Sequence, residues 1–179
     1  MIGVSKLDKL TNTLVEKAKT LGKTIVLPET EDGRVLKAAE LVIKEGIAKL
    51  ILVGNPEKIR EDAKIYAANV EGIEIINPQT YGRTEEFAVE LQKLREKKGM
   101  TIEEAREIML TDSRFFGAML VSMGLADGMV AGSNSPTAKV LKAAIQVIGV
   151  KPGLKTVSSS FIMITKTPEY GDNGVFVFS

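Results

Sequence analysis

Hydrophobic and polar positions along this chain switch repeatedly between a helical period and short apolar runs. From Leu7 to Ala18 apolar residues recur at roughly helical spacing, and the β-branched run Thr24-Ile25-Val26-Leu27, closed by Pro28, reads as a strand. Helical spacing returns through Val35, Leu36, Ala39, Leu41, Val42 and Ile43 up to Gly46, with Asp32 placed to cap it. A second strand follows at Leu50 to Val53. Gly54-Asn55-Pro56 then turns the chain into a weaker helix, and Ile73 to Ile76 before Asn77-Pro78 gives a third strand. Residues 84–98 carry Phe87, Leu91 and Leu94 on one stripe ended by Gly99, and Thr101 with Glu104 forms a capping box for the next helix. A further helix over about 112–123 precedes a short strand at Gly128 to Ala131, the loop Gly132-Ser133-Asn134-Ser135, and a helix from Pro136 to Ile148.

Strands that alternate with helices imply a mostly parallel sheet, because each parallel pairing needs a crossover connection. The expected fold is therefore α/β: a three-layer αβα domain over residues 1–150. After Lys151-Pro152-Gly153 the pattern changes to two β-rich runs, Thr156 to Thr165 and Gly174 to Phe178, joined by a turn with Pro168 and Gly171-Asp172-Asn173-Gly174. Residues 151–179 read as the incomplete beginning of a second α/β domain. Ending on Val175-Phe176-Val177-Phe178-Ser179, without a polar tail, suits either a truncated chain or a terminal strand tucked into a sheet.

Composition narrows the chemistry. The 179 residues contain neither Cys nor His, which removes disulfides, thiol nucleophiles, the commonest metal ligand and the commonest general base from this part of the molecule. Carboxylates, Lys, Arg, hydroxyls and backbone N–H groups remain, a set suited to holding an anion. A formal charge of +1 with no dense basic tract argues against nucleic acid. No apolar run reaches membrane-spanning length and no secretory leader is recognisable, so the expected location is the cytoplasm.

Two segments carry candidate chemistry. In the strand–loop–helix from Val130 to Ile148, Ser135 is expected at the N-cap and Pro136 at the first helical position; Ser133, Asn134, Ser135 and Thr137 could then donate to a phosphate at the helix N-terminus. Lys139, Lys142 and Gln146 fall on one face, opposite Val140, Leu141, Ala144 and Ile145, and Lys142 would extend positive charge along a cleft. The plainer alternative is an ordinary helix start with a solvated lysine face. In Pro28-Glu29-Thr30-Glu31-Asp32-Gly33-Arg34, three carboxylates and an arginine follow the first strand, where open α/β sheets place their sites. There the plainer reading is a helix cap at Asp32, with Glu29 or Glu31 paired to Arg34. No carboxylate spacing supports a metal site.

Several segments together resemble the phosphate acetyl/butyryltransferase family: Lys23-Thr24-Ile25-Val26-Leu27-Pro28-Glu29-Thr30-Glu31-Asp32, Gly46-Ile47-Ala48 with Leu52-Val53-Gly54-Asn55, Leu94-Arg95-Glu96-Lys97-Lys98-Gly99, Ala126-Asp127-Gly128-Met129-Val130-Ala131-Gly132, and the stretch through Phe161-Ile162-Met163 and Tyr170-Gly171-Asp172. The resemblance spans essentially the whole chain as its N-terminal portion. It implies a two-domain enzyme, a homodimer when full length, that moves an acetyl group between acetyl-CoA and inorganic phosphate, with CoA and phosphate as substrates, no metal and no further cofactor. It also implies that a catalytic Ser, Arg and Asp come from a later portion with no counterpart here, so the 179 residues alone are expected to be inactive. Arg95 matches a family arginine implicated in CoA binding. Lys142 stands where the family usually has a second functional arginine, a CoA or phosphate contact, and Ser135-Pro136-Thr137 replaces a run that is commonly His-Ser-Thr. A butyryl-transferring relative and a non-catalytic domain like those fused to malic enzymes are the alternatives.

Overall fold

The structure, a computed structural model, describes residues 6–165 and 167–179. Residues 1–5 and 166, which fall within the two expected domain spans, lie outside the described residues. The chain divides into one unit of Ala18–Gly149 and another that joins Met1–Lys17 to Val150–Ser179. Helix α1 (Lys6–Leu21) runs across that division.

Within Ala18–Gly149, strands β1 (Thr24–Leu27), β2 (Lys49–Val53), β3 (Glu74–Ile76) and β4 (Gly128–Met129) form a sheet in the order β3-β2-β1-β4. Every pairing is parallel. Between them run α2 (Gly33–Lys44), α3 (Pro56–Ile65), α4 (Thr84–Arg95), α5 (Ile102–Thr111) and α6 (Ser113–Ser122), with α7 (Thr137–Ala143) after β4. Strand alternation sorts the core into two layers. Leu27, Leu50 and Leu52 pack with Leu36 and Ala39 of α2 and Ile59 and Ala63 of α3. Val26, Ile51, Val53 and Ile76 face the opposite way, toward Phe87 and Leu91 of α4, Met109 of α5, Phe116 and Leu120 of α6 and Ala143 of α7. The sheet is thus sandwiched between helices, as the alternation of periods predicts.

Local chemistry sets the helix boundaries. Asn55 accepts from the N–H groups of Glu57 and Lys58, with Pro56 at the first helical turn. Thr101 and Glu104 complete the predicted capping box. Asp32 and Asp112 cap α2 and α6 alike, each accepting the N–H two residues on. The stripe expected over 84–98 breaks at Arg95: a 3-10 turn, Glu96–Lys98, tightens the end before Gly99 takes the left-handed conformation at φ 78°.

Two expectations need correction at the last parallel strand. Only Gly128 and Met129 pair with β1, flanked by backbone bonds from Asp127 N–H to Thr24 C=O, 2.8 Å, and from Val130 N–H to Val26 C=O, 3.0 Å, so Val130 and Ala131 lie outside the strand. The following helix starts at Thr137, Pro136 stands in the capping position without a side-chain bond, and the last turn, Ala144–Ile148, is a π-turn. Its buried positions are Ala143 and Val147, while Leu141 and Ile145, expected on the apolar face, stay exposed. In the other unit, β5 (Phe161–Ile164) and β6 (Val175–Phe178) make an antiparallel hairpin with Phe161 opposite Phe178. Most of its apolar side chains are exposed.

Candidate functional site

Chain order and spatial order part company at β1: the chain moves outward through β2 and β3, then returns to β1's other side for β4. The loops that leave the C-terminal ends of β1 and β4 therefore diverge around a crevice, the place where open α/β sheets bind ligands. Pro28 to Asp32 and Val130 to Pro136 meet there.

Their meeting is organised by Glu29, which is only 2% exposed. Its Oε2 accepts the N–H groups of Gly132 and Ser133, both at 2.7 Å. Burial pushes the Glu29 carboxyl up, but the Ser135 hydroxyl and the N–H groups of Gly132, Ser133 and Asn134 outweigh it and hold the group below the ordinary carboxylate range. Oε1 is buried without a hydrogen-bond partner of good geometry. The Ser133 hydroxyl donates to Asp32, and Arg34 Nη2 donates to both Asp32 Oδ2 at 2.6 Å and Ser133 C=O at 2.7 Å. Asp32 is held far below its usual range, first by the Arg34 side chain and then by the Ser133 hydroxyl. Arg34 is therefore paired with Asp32 itself rather than with Glu29 or Glu31.

Arg114 closes the other end of the loop. Its Nε and Nη2 bind Asp112 at 2.9 Å each, and its Nη1 donates to Ser135 Oγ at 2.6 Å. Ser135 is thereby withdrawn from the expected N-cap. Helix α6 can come this close because Gly117 has no side chain; a Cβ there would meet Met129 Sδ at 2.9 Å and Val26 Cγ1 at 3.1 Å. Of the loop expected to donate to a phosphate through Ser133, Asn134, Ser135 and Thr137, the Ser133 N–H, together with that of Gly132, is already taken by the protein's own carboxylate, Glu29. Asn134 and Thr137 are exposed, and their side chains make no hydrogen bond with the described residues.

A second crevice lies where α4, α5 and α7 converge. Arg95, Lys98, Gly99, Met100, Glu104, Glu107, Ile108, Lys142 and Gln146 line a cavity of about 420 Å³. Arg95 and Lys142, distant in sequence, therefore share one cleft. Arg95 has no ion pair among the described residues, and its Nε is buried without a partner. By contrast Arg83 and Arg106 are held by Glu86 and Glu85. The cleft can accept an anion through uncommitted cations and an apolar group against Met100 and Ile108. Among the described residues no group of three or more carboxylates is arranged to hold a metal ion.

Glu29 and Arg114 were not distinguished by sequence reasoning. Arg114 had a readable signal: Asp32-Gly33-Arg34 and Asp112-Ser113-Arg114 repeat the same Asp-x-Arg helix start. Glu29 had none, since one glutamate among three neighbouring carboxylates does not announce its burial.

A family model for phosphate acetyl/butaryl transferases matches residues 9–179. The chain belongs to this family. The phosphate acetyltransferase of Acetivibrio thermocellus is 45% identical over 166 residues, covering 93% of this chain and 49% of that protein. That of Thermoanaerobacterium thermosaccharolyticum is 44% identical over 167 residues, 93% and 50%. Among solved structures, a phosphotransacetylase from Streptococcus pyogenes superposes with a TM-score of 0.88 at 32% identity, covering 98% of this chain and 51% of that one. This chain thus spans about half the length of these relatives, as their N-terminal portion. Among its described residues no helix is long and apolar enough to cross a membrane.

Proposed function

We propose that this chain forms the substrate-positioning half of a phosphate acetyltransferase that exchanges an acetyl group between CoA and inorganic phosphate. What carries the reading is the convergence of Arg95 and Lys142 on one cleft in which Arg95 has no carboxylate partner. An uncommitted guanidinium beside an ammonium fits a phosphate-bearing ligand such as CoA. Ser133, Asn134, Ser135 and Thr137 make up the phosphate-side wall, where Asn134 and Thr137 offer free donors.

The reaction suits a chain without Cys or His. The CoA sulfur attacks the acetyl carbonyl of acetyl phosphate, the carbon–oxygen bond to phosphate breaks, phosphate leaves with the electron pair, and a base takes the thiol proton. CoA brings its own thiol. The residues at hand contribute orientation and charge stabilisation, while the base and the remaining catalytic groups come from the portion beyond residue 179. The working enzyme is a cytoplasmic homodimer that needs no metal or cofactor besides its substrates, and the 179 residues alone are inactive.

The test is CoA-dependent conversion of acetyl phosphate to acetyl-CoA, run on this chain and on its reading frame extended to the natural stop. Activity in the longer protein alone supports the reading; activity in both overturns the inactivity of the 179 residues; a well-folded but inactive longer protein overturns the transferase reading. The family description also names butyryl transfer. A rate that rises with acyl length from acetyl to butyryl phosphate would favour that reading.

A further inference from the structure

We propose that Glu29 is a positioning residue of this site: its buried carboxylate is the template on which the β4–α7 loop is set, with Arg114 fixing the loop's far end. The inference rests on the transferase reading above.

The contacts come from outside the loop at each step along it. Gly132 and Ser133 are held through their N–H groups by Glu29, Ser133 again through its hydroxyl by Asp32 and through its carbonyl by Arg34, and Ser135 through its hydroxyl by Arg114. Glu29 lies 103 and 104 residues before its two N–H donors, so the bonds exist only once the parallel sheet has formed. This arrangement leaves the exposed side chains of Asn134 and Thr137 without a hydrogen bond among the described residues.

The energetics point the same way. A carboxylate taken out of water is costly unless it is compensated, and a neutral amide could accept the same two N–H bonds without that cost. Retaining the charge gives stronger, shorter bonds and a stiffer loop. It also reserves the Gly132 and Ser133 N–H groups. A phosphate approaching the loop then meets the side chains of Asn134 and Thr137 on a fixed backbone instead of competing for mobile backbone donors. The next helix follows immediately, and Lys142 lies five residues after Thr137, about 7.5 Å along the helix axis. Displacing the loop should disturb the phosphate side first.

Two variants and two readouts test this. In the extended reading frame, Glu29→Gln keeps an acceptor without the charge and Glu29→Ala removes both. The expected result is a KM for acetyl phosphate raised about tenfold in the alanine variant and less in the glutamine variant, with the KM for CoA within about twofold of wild type. In the 179-residue chain, amide exchange at Gly132 and Ser133 should accelerate in Glu29→Gln while amides of β1 and β2 keep their protection. Equal rises in both KM values, or exchange accelerated uniformly through the sheet, would reduce Glu29 to a structural residue and overturn the proposal. Unchanged exchange at Gly132 and Ser133 would overturn it as well. If the extended wild-type protein proves inactive, the transferase reading fails, and the exchange experiment still decides whether Glu29 sets the loop.

Discussion

The two crevices of the Ala18–Gly149 unit treat charge in opposite ways. At the β1–β4 edge nearly every ionic group is already matched: Asp32 with Arg34, Asp112 with Arg114, and Glu29 with two backbone N–H groups. In the α4–α5–α7 cleft, which Glu104 and Glu107 also line, Arg95, Lys98 and Lys142 make no ion pair among the described residues. Internal pairing stabilises a shape but leaves little to offer a ligand, whereas an unpaired cation in a concavity does the reverse. One edge is built to hold a geometry and the other to receive an anion.

The contrast breaks most sharply if the cleft is stripped of charge. The double substitution Arg95→Ala with Lys142→Ala should raise the KM for CoA by about a hundredfold in the extended reading frame, since each charge-assisted hydrogen bond to a ligand is worth roughly 1.5–3 kcal/mol. The melting temperature should barely move, because among the described residues neither Lys142 nor Arg95 has an ion pair to lose. A large fall in melting temperature with CoA affinity intact would reverse the roles assigned to the two regions.

The opposite signature is expected at the edge. Arg114→Ala removes three hydrogen bonds to Asp112 and Ser135 in a partly buried site, and should cost about 1–3 kcal/mol of stability, measured by denaturant unfolding. The same edge makes stability pH-dependent. Glu29 and Asp32 have folded pKa values below their ordinary ones, so the unfolded chain binds more protons as acid is added. Their contribution is fully present above about pH 5 and is lost as the pH falls through the depressed folded values. A pH–stability curve that stays flat from pH 5 to pH 3 would contradict this.

Much of this was legible in the chain, and what was not has a common cause. The four strands, the capping residues Asp32 and Thr101 and the turn at Gly54-Asn55-Pro56 depend on neighbours within a few positions, so periodicity and turn chemistry reveal them. The sorting of Val26 to one core layer and Leu27 to the other follows from strand alternation. Lys142 was readable from helical spacing and Arg95 from resemblance, and only the fold brings them to one cleft. The Ser135 cap failed because local preference lost to a distant partner, the Arg114 guanidinium 21 residues away. Glu29 shows the limit most clearly: its role lies in bonds to residues more than 100 positions later, which no local pattern contains.

The smallest effect sharpens the comparison at a single side chain. The family resemblance places an arginine where this chain has Lys142, and an ammonium keeps the charge without the planar fork that binds a phosphate through two parallel bonds. Lys142→Arg should therefore lower the KM for CoA by about two- to fivefold, with kcat and melting temperature nearly unchanged, because the residue is exposed and has no ion pair among the described residues to lose. A higher KM would mean that the cleft, lined also by Gln146 and Glu107, fits the slimmer lysine and uses it as a point charge. No change in KM would place Lys142 on a solvated face and leave Arg95 as the cation of the pair that meets the ligand.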